Sequence, residues 1–397
     1  MTLNIEKDYI FNKINFFLIL FLPIAVLAGS SVVNITICFI DFFFIISLIK
    51  RKFNILTERN FQFLIIIYLY LVLNSFVISS NPESNLKSLG FIRFFILAYA
   101  LSYYFQIYNK SLMKCWVVIF LIVTFDIIFE YIFGKNIFGF TSENPRRIAS
   151  FTNDELKIGG FYFAFIFLTL FYFYRKKNFK FWFLFFLFFL VSFIIGERSN
   201  FIKIFFGYFL FFIFNKFKIK KVLIYTSLLI ILISPILVSN KYFKTRYLNI
   251  FYTFKSNNND ESYFGNLLNN SRHLGHYYIA AQIFKEKPIL GKGFKSFRTE
   301  SFKEKYYVGS NRYGSTHPHQ FHFEILSELG LLGYLLIMIN ISLLIFRRWD
   351  KNDYYKIGST IFIIGSLIPI LPSGSFFTTY GATLFFINYS FLLSQKK

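Results

Sequence analysis

The sequence predicts an all-α polytopic membrane protein of about twelve transmembrane helices, and three observations lead there. Of its 397 residues, 55% are hydrophobic and 62 are phenylalanine, well above the apolar content of a water-soluble domain. Apolar runs of about 15 to 20 residues recur along the whole length, the spacing that a bilayer imposes. The connections between these runs alternate between strongly basic and sparsely charged.

In order, the runs cover 16–29, 32–49, 61–80, 89–105, 113–133, 158–174, 181–195, 200–214, 222–238, 323–346, 357–371 and 376–393. The first is short enough to resemble a signal-peptide core, but the apolar pattern simply resumes after it instead of giving way to a soluble domain. Cys38 and Cys115 both lie in apolar runs, so neither a disulfide framework nor a cysteine metal site is expected. The basic connections are Lys50-Arg51-Lys52 with Arg59, Lys110 with Lys114, Arg175-Lys176-Lys177 with Lys180, Lys216 to Lys221, and Arg347-Arg348 with Lys351 and Lys356. With the termini they hold 22 of the 43 basic residues. Positive charge flanking spans stays on the cytoplasmic side, so both termini are expected there. The net charge of +23 is thus largely topological, and nucleic acid is not an expected partner.

Three parts of one integral domain follow: a bundle of nine spans over 1–238, a large outer loop over 239–322, and three final spans over 323–397. Residues 134–157 form a second outer loop. The large loop holds 13 basic and five acidic residues, Asp260, Glu261, Glu286, Glu300 and Glu304. Long loops escape the charge rule, so this surplus invites a functional reason. Within the loop, Ser271 to Lys287 predicts a helix. Ser271 stands at the cap, Leu274, Tyr278, Ala281 and Phe284 recur on one face, and Pro288 stops it. Such an amphipathic helix would lie on the outer membrane surface or over the bundle mouth. Gly291-Lys292-Gly293 reads as a flexible turn and is only a weak phosphate signal.

All five histidines, His273, His276, His317, His319 and His322, fall in this interruption. An imidazole titrating near neutrality can accept a proton from a hydroxyl, and His319 is the candidate base. A metal cluster of His317, His319 and His322 and a purely structural role remain open beside it. Pro318 holds His317 extended. Arg198 sits in a tight turn between two spans, where a guanidinium can either snorkel to headgroups or clamp a phosphate. Arg272 opens a helix whose end already carries partial positive charge. A bound anion would relieve that conflict, and a solvated loop arginine is the alternative. Arg146-Arg147 and Lys203 are placed towards the same mouth. Glu324 and Glu328, four residues apart, either orient a histidine or arginine or favour the helix start. Gly330 and Gly333 permit close helix packing. For Asp41, Arg93, Asp126 and Glu130, internal ion pairing is the expectation.

His319-Gln320 followed by Gly330 and Gly333 resembles the signature of the O-antigen ligase and O-antigen polymerase superfamily. Gly196-Glu197-Arg198-Ser199 resembles its arginine turn. Ser271-Arg272 with Pro288-Ile289-Leu290-Gly291-Lys292-Gly293 resembles its second arginine and following loop. Arg147-Ile148-Ala149-Ser150-Phe151 with Asn153-Asp154-Glu155 resembles its first-loop motif. The likeness spans about Arg147 to Gly333. Gln320 stands where asparagine is common, and His317 and His322 are additional imidazoles.

The resemblance implies a GT-C-like membrane glycosyltransferase with a large periplasmic loop containing amphipathic helices. Transfer would be inverting and metal-independent, with no cofactor, at the periplasmic face of a bacterial inner membrane. The donor would be a glycan on undecaprenyl pyrophosphate, gripped by Arg198 and Arg272, while His319 activates the acceptor hydroxyl. Arg147, Lys203, His317, His322, Gln320 and Glu324 are the expected substrate-binding residues. A ligase uses lipid A core as acceptor; the alternative is a polymerase joining lipid-linked repeats. A transporter of the same lipid is a further rival, expected to carry an internal repeat with midplane charge, and no convincing repeat is found.

Overall fold

The computed structural model describes residues 9–51, 55–144, 147–174, 178–253, 271–307 and 314–394. Arg146, Arg175-Lys176-Lys177, Asp260 and Glu261 lie outside the described residues. Among those described, the secondary structure is helical without strands. The helices are α1 (Tyr9–Ala28), α2 (Ser30–Arg51), α3 (Arg59–Val77), α4 (Ser84–Leu89), α5 (Ile92–Phe133), α6 (Ile158–Tyr174), α7 (Phe179–Ile194), α8 (Arg198–Phe214), α9 (Ile219–Ser239), α10 (Lys241–Thr253), α11 (Arg272–Glu286), α12 (Phe297–Glu300), α13 (Phe321–Arg348), α14 (Tyr354–Ser366) and α15 (Thr379–Leu393).

Among the described residues six helical stretches are long and apolar enough to cross a membrane: Ile10–Ala28, Ser30–Lys50, Arg59–Val77, Ser84–Phe133, Ile219–Ser239 and Phe321–Arg348. The expected count of about twelve is not reached on that measure, for two physical reasons. The runs at 158–174, 181–195, 200–214, 357–371 and 376–393 form helices of 13 to 17 residues. The runs at 89–105 and 113–133 share α5, whose 42 residues contain a non-helical Tyr108. A straight helix would set Phe105 and Trp116 roughly 16 Å apart, yet their rings meet at 4.9 Å. The chain therefore doubles back near Tyr108. Both limbs pack on α1, where Asn15 bonds the Tyr104 hydroxyl at 3.0 Å and Trp116 donates to Ile19 O at 2.9 Å.

Phenylalanine supplies the packing. Helix α6 buries 14 of its 17 residues and occupies the middle of the bundle, against α14, α7, α5 and α8. Only Val222 and Leu229 are buried in α9, and its exposed Leu223, Ile224, Leu228, Ile230 and Ile231 form a face suited to lipid. Helices α2, α8 and α13 each run from a polar end, near Ser30, Arg198 and Phe321, to a basic end at Arg51, Lys216 and Arg347-Arg348. Two of those basic ends meet, with Phe214 against Trp349 at 4.8 Å.

The Pro288–Gly293 segment is a wedge rather than a flexible turn. Gly330 breaks α13 with φ 67° and ψ −171°, a conformation that glycine alone adopts without strain. Into that break the segment inserts four backbone hydrogen bonds. Lys292 N donates to Ser327 O (3.0 Å), Gly293 N to Glu328 O (2.9 Å), Leu331 N to Pro288 O (2.8 Å) and Leu332 N to Ile289 O (3.1 Å). A side chain at Gly291 or Gly330 would strike the opposing backbone. Asn74 of α3 closes the far side, donating to Leu290 O and accepting from Phe294 N, both at 2.7 Å. The expected close packing of Gly333 is present, against Tyr70.

Candidate active site

Helix α11 begins at Arg272 and ends before Lys287, as its sequence predicts, but a different face is buried. Gly275, Tyr277, Ile279, Ala280 and Ile283 point inward, where Ile279, Ala280 and Ile283 join Phe297 and Tyr306 in a small core of their own. Leu274, Tyr278, Ala281 and Phe284 are only partly covered. The helix packs on α13 and so sits over the bundle mouth. Ser271 occupies the cap position without a side-chain cap bond.

At that mouth a cavity of about 530 Å³ is lined by Arg147, Glu197, Arg198, Arg246, Ser271, Arg272, His273, Tyr277, His319 and the 370–374 loop, among others. Arg198 is the first residue of α8 and Arg272 the first of α11, and neither helix has a side-chain cap bond. Two helix starts, each with unsatisfied N–H groups and partial positive charge, thus converge with four guanidiniums on one space. Among the described residues only one carboxylate, Glu197, lines it. Glu197 is held by Arg147 (3.0 Å), the Gly159 N–H (3.1 Å) and the Asn200 amide (2.6 Å). Arg246, in α10, donates from Nε to Gly196 O at 3.0 Å, and its neighbour Tyr247 reaches Phe193 O at 2.9 Å. Burial, then the charges of Arg198 and Arg147, lowers the pKa of Arg246 from its ordinary value. Neither Arg198 nor Arg272 makes an ion pair among the described residues. Such a field is matched by an anion with several oxygens.

The first loop is built into the same rim. Glu130 accepts from the N–H groups of Ala149 (3.1 Å) and Ser150 (2.6 Å), and Asp126 from Ser150 Oγ (2.5 Å) and Ile137 N (2.8 Å). These carboxylates hold backbone where ion pairs were expected. Asp41 and Arg93 likewise make no ion pair with each other among the described residues, although each feels the other's charge.

His319 stands at a left-handed φ of 57°, a conformation costing a non-glycine residue about 1–3 kcal/mol. Its carbonyl accepts from Ser373 N at 2.7 Å and its Nε2 lies 3.3 Å from Ser315 Oγ. Ser373 presents a buried Oγ with no hydrogen-bond partner among the described residues. The loop carrying it is also fixed by Tyr277, whose hydroxyl donates to Ile370 O at 3.1 Å, and by Lys203, whose Nζ reaches Pro372 O at 3.3 Å. His319 gathers His317, His276 and His273 at ring distances of 4.0, 5.2 and 5.4 Å. Burial, followed by those neighbours, lowers the His319 pKa to about 3; burial and then Lys295 lower that of His317 to about 4. His273 is shifted downward by burial, His276 and the arginines. Neutral imidazoles are therefore the resting form. Among the described residues no group of three His, Cys, Asp or Glu side chains is arranged to hold a metal ion.

Arg198, Arg272, Arg147 and His319 are thus brought to one cavity, and the other sequence candidates are not. Gln320 caps α13, accepting from Phe323 N at 2.9 Å. His322 is tied to Tyr334 OH (3.1 Å) and Leu367 O (2.8 Å), and Lys203 lies beneath the 370–374 loop. Glu324 accepts from Ser375 Oγ and from Phe376 N (2.8 Å), and Glu328 from Lys295 N (2.9 Å). These two acids orient Lys295 and the 375–376 backbone rather than a histidine or an arginine. His317 opens on a different cavity. Arg246 and Ser373 escaped sequence reasoning; one was a single cation in a basic loop and the other a serine between two spans.

A helical bundle with apolar lipid-suited faces and a cationic, imidazole-bearing mouth defines the class as a membrane protein. Comparison with known families is consistent with this: residues 183–338 match the family model for O-antigen ligase. That segment runs from α7 into α13 and contains Arg198, Arg246, Arg272 and His319, and the superfamily resemblance carried by its motifs is thereby borne out. Arg147 and the 370–374 loop lie outside it. Among curated proteins, none matches the chain.

Proposed function

We propose that the protein is an O-antigen ligase-type glycosyltransferase, moving a glycan from undecaprenyl pyrophosphate to a hydroxyl of an acceptor such as lipid A core. The observation that carries this reading is the convergence of four guanidiniums and two uncapped helix starts beside a neutral imidazole in one cavity. Arg198 and Arg272, with Arg147 and Arg246 behind them, hold the pyrophosphate and stabilise the charge that grows as it leaves. His319 accepts the proton as the acceptor oxygen attacks the anomeric carbon from the face opposite the leaving group. One C–O bond forms and the bond to pyrophosphate breaks, which inverts the configuration. A strongly lowered pKa makes His319 a weak base alone; the bound pyrophosphate raises its proton affinity by placing negative charge nearby. No metal or cofactor enters the scheme.

The orientation that fits is periplasmic for this mouth, with both termini cytoplasmic, in a bacterial inner membrane. The basic ends of α2, α8 and α13 lie away from the cavity, as positive charge retained on the cytoplasmic side requires. The deciding experiment is the surface-glycan pattern of a deletion strain. Loss of a ligase leaves long lipid-linked polymer that never reaches lipid A core. A core bearing a single repeat would instead establish the polymerase reading.

A further inference from the structure

A second cavity, of about 490 Å³, opens on the other side of the histidine pair and is lined by Lys87, Arg93, Lys295, Arg298 and His317, with no carboxylate among the described residues of its wall. We propose that it is an acceptor-side anion site, which binds a phosphate or pyrophosphate group carried by the lipid-anchored acceptor. This assignment of an acceptor rests on the transferase reading above.

Four features support it. The partition between the cavities is thin: His319, Ser373 and Gly374 line the first cavity, whereas His317 and Ser375 line the second. The two imidazoles are 4.0 Å apart between ring centres, so groups held in the two cavities meet at the rings. His317 Nε2 is buried without a hydrogen-bond partner among the described residues, as is Arg93 Nε. The cations come from two chain segments far apart in sequence: Lys87 in α4 with Arg93 in α5, and Lys295 with Arg298 at α12. A basic stretch spreads its charge along one segment, whereas this arrangement surrounds a volume.

The compensation of these charges is partial and sits outside the wall. Glu83 pairs with Lys87 and, at 3.0 Å, with Arg298. Lys295 donates to Ser375 Oγ at 3.0 Å and stands 3.7 Å from Glu324. Arg93 lies over the Phe94 ring at 4.4 Å. Glu83 is exposed on the rim, so it is free to release Lys87 and Arg298 to an incoming anion.

The test uses the full chain in phosphatidylcholine nanodiscs, with inorganic pyrophosphate as the probe and calorimetric titration as the readout. Two binding events are expected. Arg198→Gln removes one; the double variant Lys87→Gln/Arg298→Gln weakens the other at least tenfold; and Glu83→Gln tightens that second event, a gain that misfolding cannot produce. A single event, lost in Arg198→Gln, overturns the proposal, as does a second event indifferent to Lys87, Arg298 and Glu83. In transfer assays the double variant is expected to raise KM for a phosphorylated acceptor about tenfold and to leave KM for the donor unchanged. A dephosphorylated acceptor should already show the higher KM. A raised donor KM instead would hand the cavity to the donor. Loss of the second event on adding phosphatidylglycerol would assign it to a bilayer headgroup and overturn the acceptor role. If the wild-type chain binds two pyrophosphates yet transfers no glycan, the transferase reading fails while the second anion site stands.

Discussion

The arginine-lined cavity, which His319 borders just before α13, and the Pro288–Gly293 wedge, set into α13 itself, are built on opposite plans. In the wedge, carbonyls and N–H groups are matched in pairs across Gly330, and Asn74 uses both ends of its amide. In the cavity, Arg198 and Arg272 have no ionic partner among the described residues, Ser373 Oγ is unbonded, and His319 holds a left-handed backbone. Paired polar groups fix a shape, while unpaired ones store affinity for something absent from the chain. Both regions carry glycine- or arginine-containing motifs of similar conspicuousness in sequence. Only the hydrogen-bond accounting separates scaffold from site.

The contrast can be broken most forcefully at the cavity. Arg198→Ala, Arg272→Ala and His319→Ala should each cut glycan transfer by about 10²- to 10³-fold or more, the scale for losing one transition-state stabiliser, with melting temperature in detergent unchanged. A matching fall in melting temperature would show these residues to be scaffold. Normal activity of His319→Ala together with an inactive His317→Ala would move the base two residues upstream.

At the wedge the opposite pattern is expected. Gly330→Ala and Gly291→Ala should cost stability by at least about 1–3 kcal/mol, since each forces a side chain into positive φ and against backbone. Folded yield and melting temperature should drop, with the KM of any surviving protein near that of wild type. Asn74→Ala, which strands one carbonyl and one N–H, should lower stability by about 1–3 kcal/mol without altering the pH dependence of transfer.

Acid provides a subtler probe. Because His317 and His319 have folded-state pKa values of about 4 and about 3, the unfolded chain, near 6.5, binds their protons more readily. Stability should be indifferent to these groups above pH 6.5 and should fall as pH drops from 6.5 towards 4. Melting curves across that range should flatten in His317→Gln/His319→Asn. The smallest expected effect is that of a chelator, which should leave transfer unchanged; loss of activity restored by zinc would sink the metal-free scheme.

Much of the site was legible because its chemistry is written in rare residues. Arginines at helix starts and histidines confined to one loop are local signals, and the boundaries of α11 followed from Ser271 and Pro288 alone. The buried face of α11 was not legible, since Tyr277 and Ile283 turn inward to meet α13 and Phe297, partners distant in sequence. The same holds for Arg246, Lys87 and Arg298, which become informative only when folding sets each beside a void. Hydropathy gave apolar runs but not helix lengths: α6, α7, α8, α14 and α15 have only 13 to 17 residues. Nor could it reveal the reversal at Tyr108, where one unbroken apolar stretch folds on itself.

In an extended chain, residues two apart point to the same side. His317 and His319 would then face one compartment together, with Pro318 behind them. The single left-handed residue at 319 cancels that rule, sending one ring to each side of the partition. A local inversion of backbone hand thus lets one short tripeptide serve two chambers, and an ordinary φ at 319 would turn both rings towards one of them.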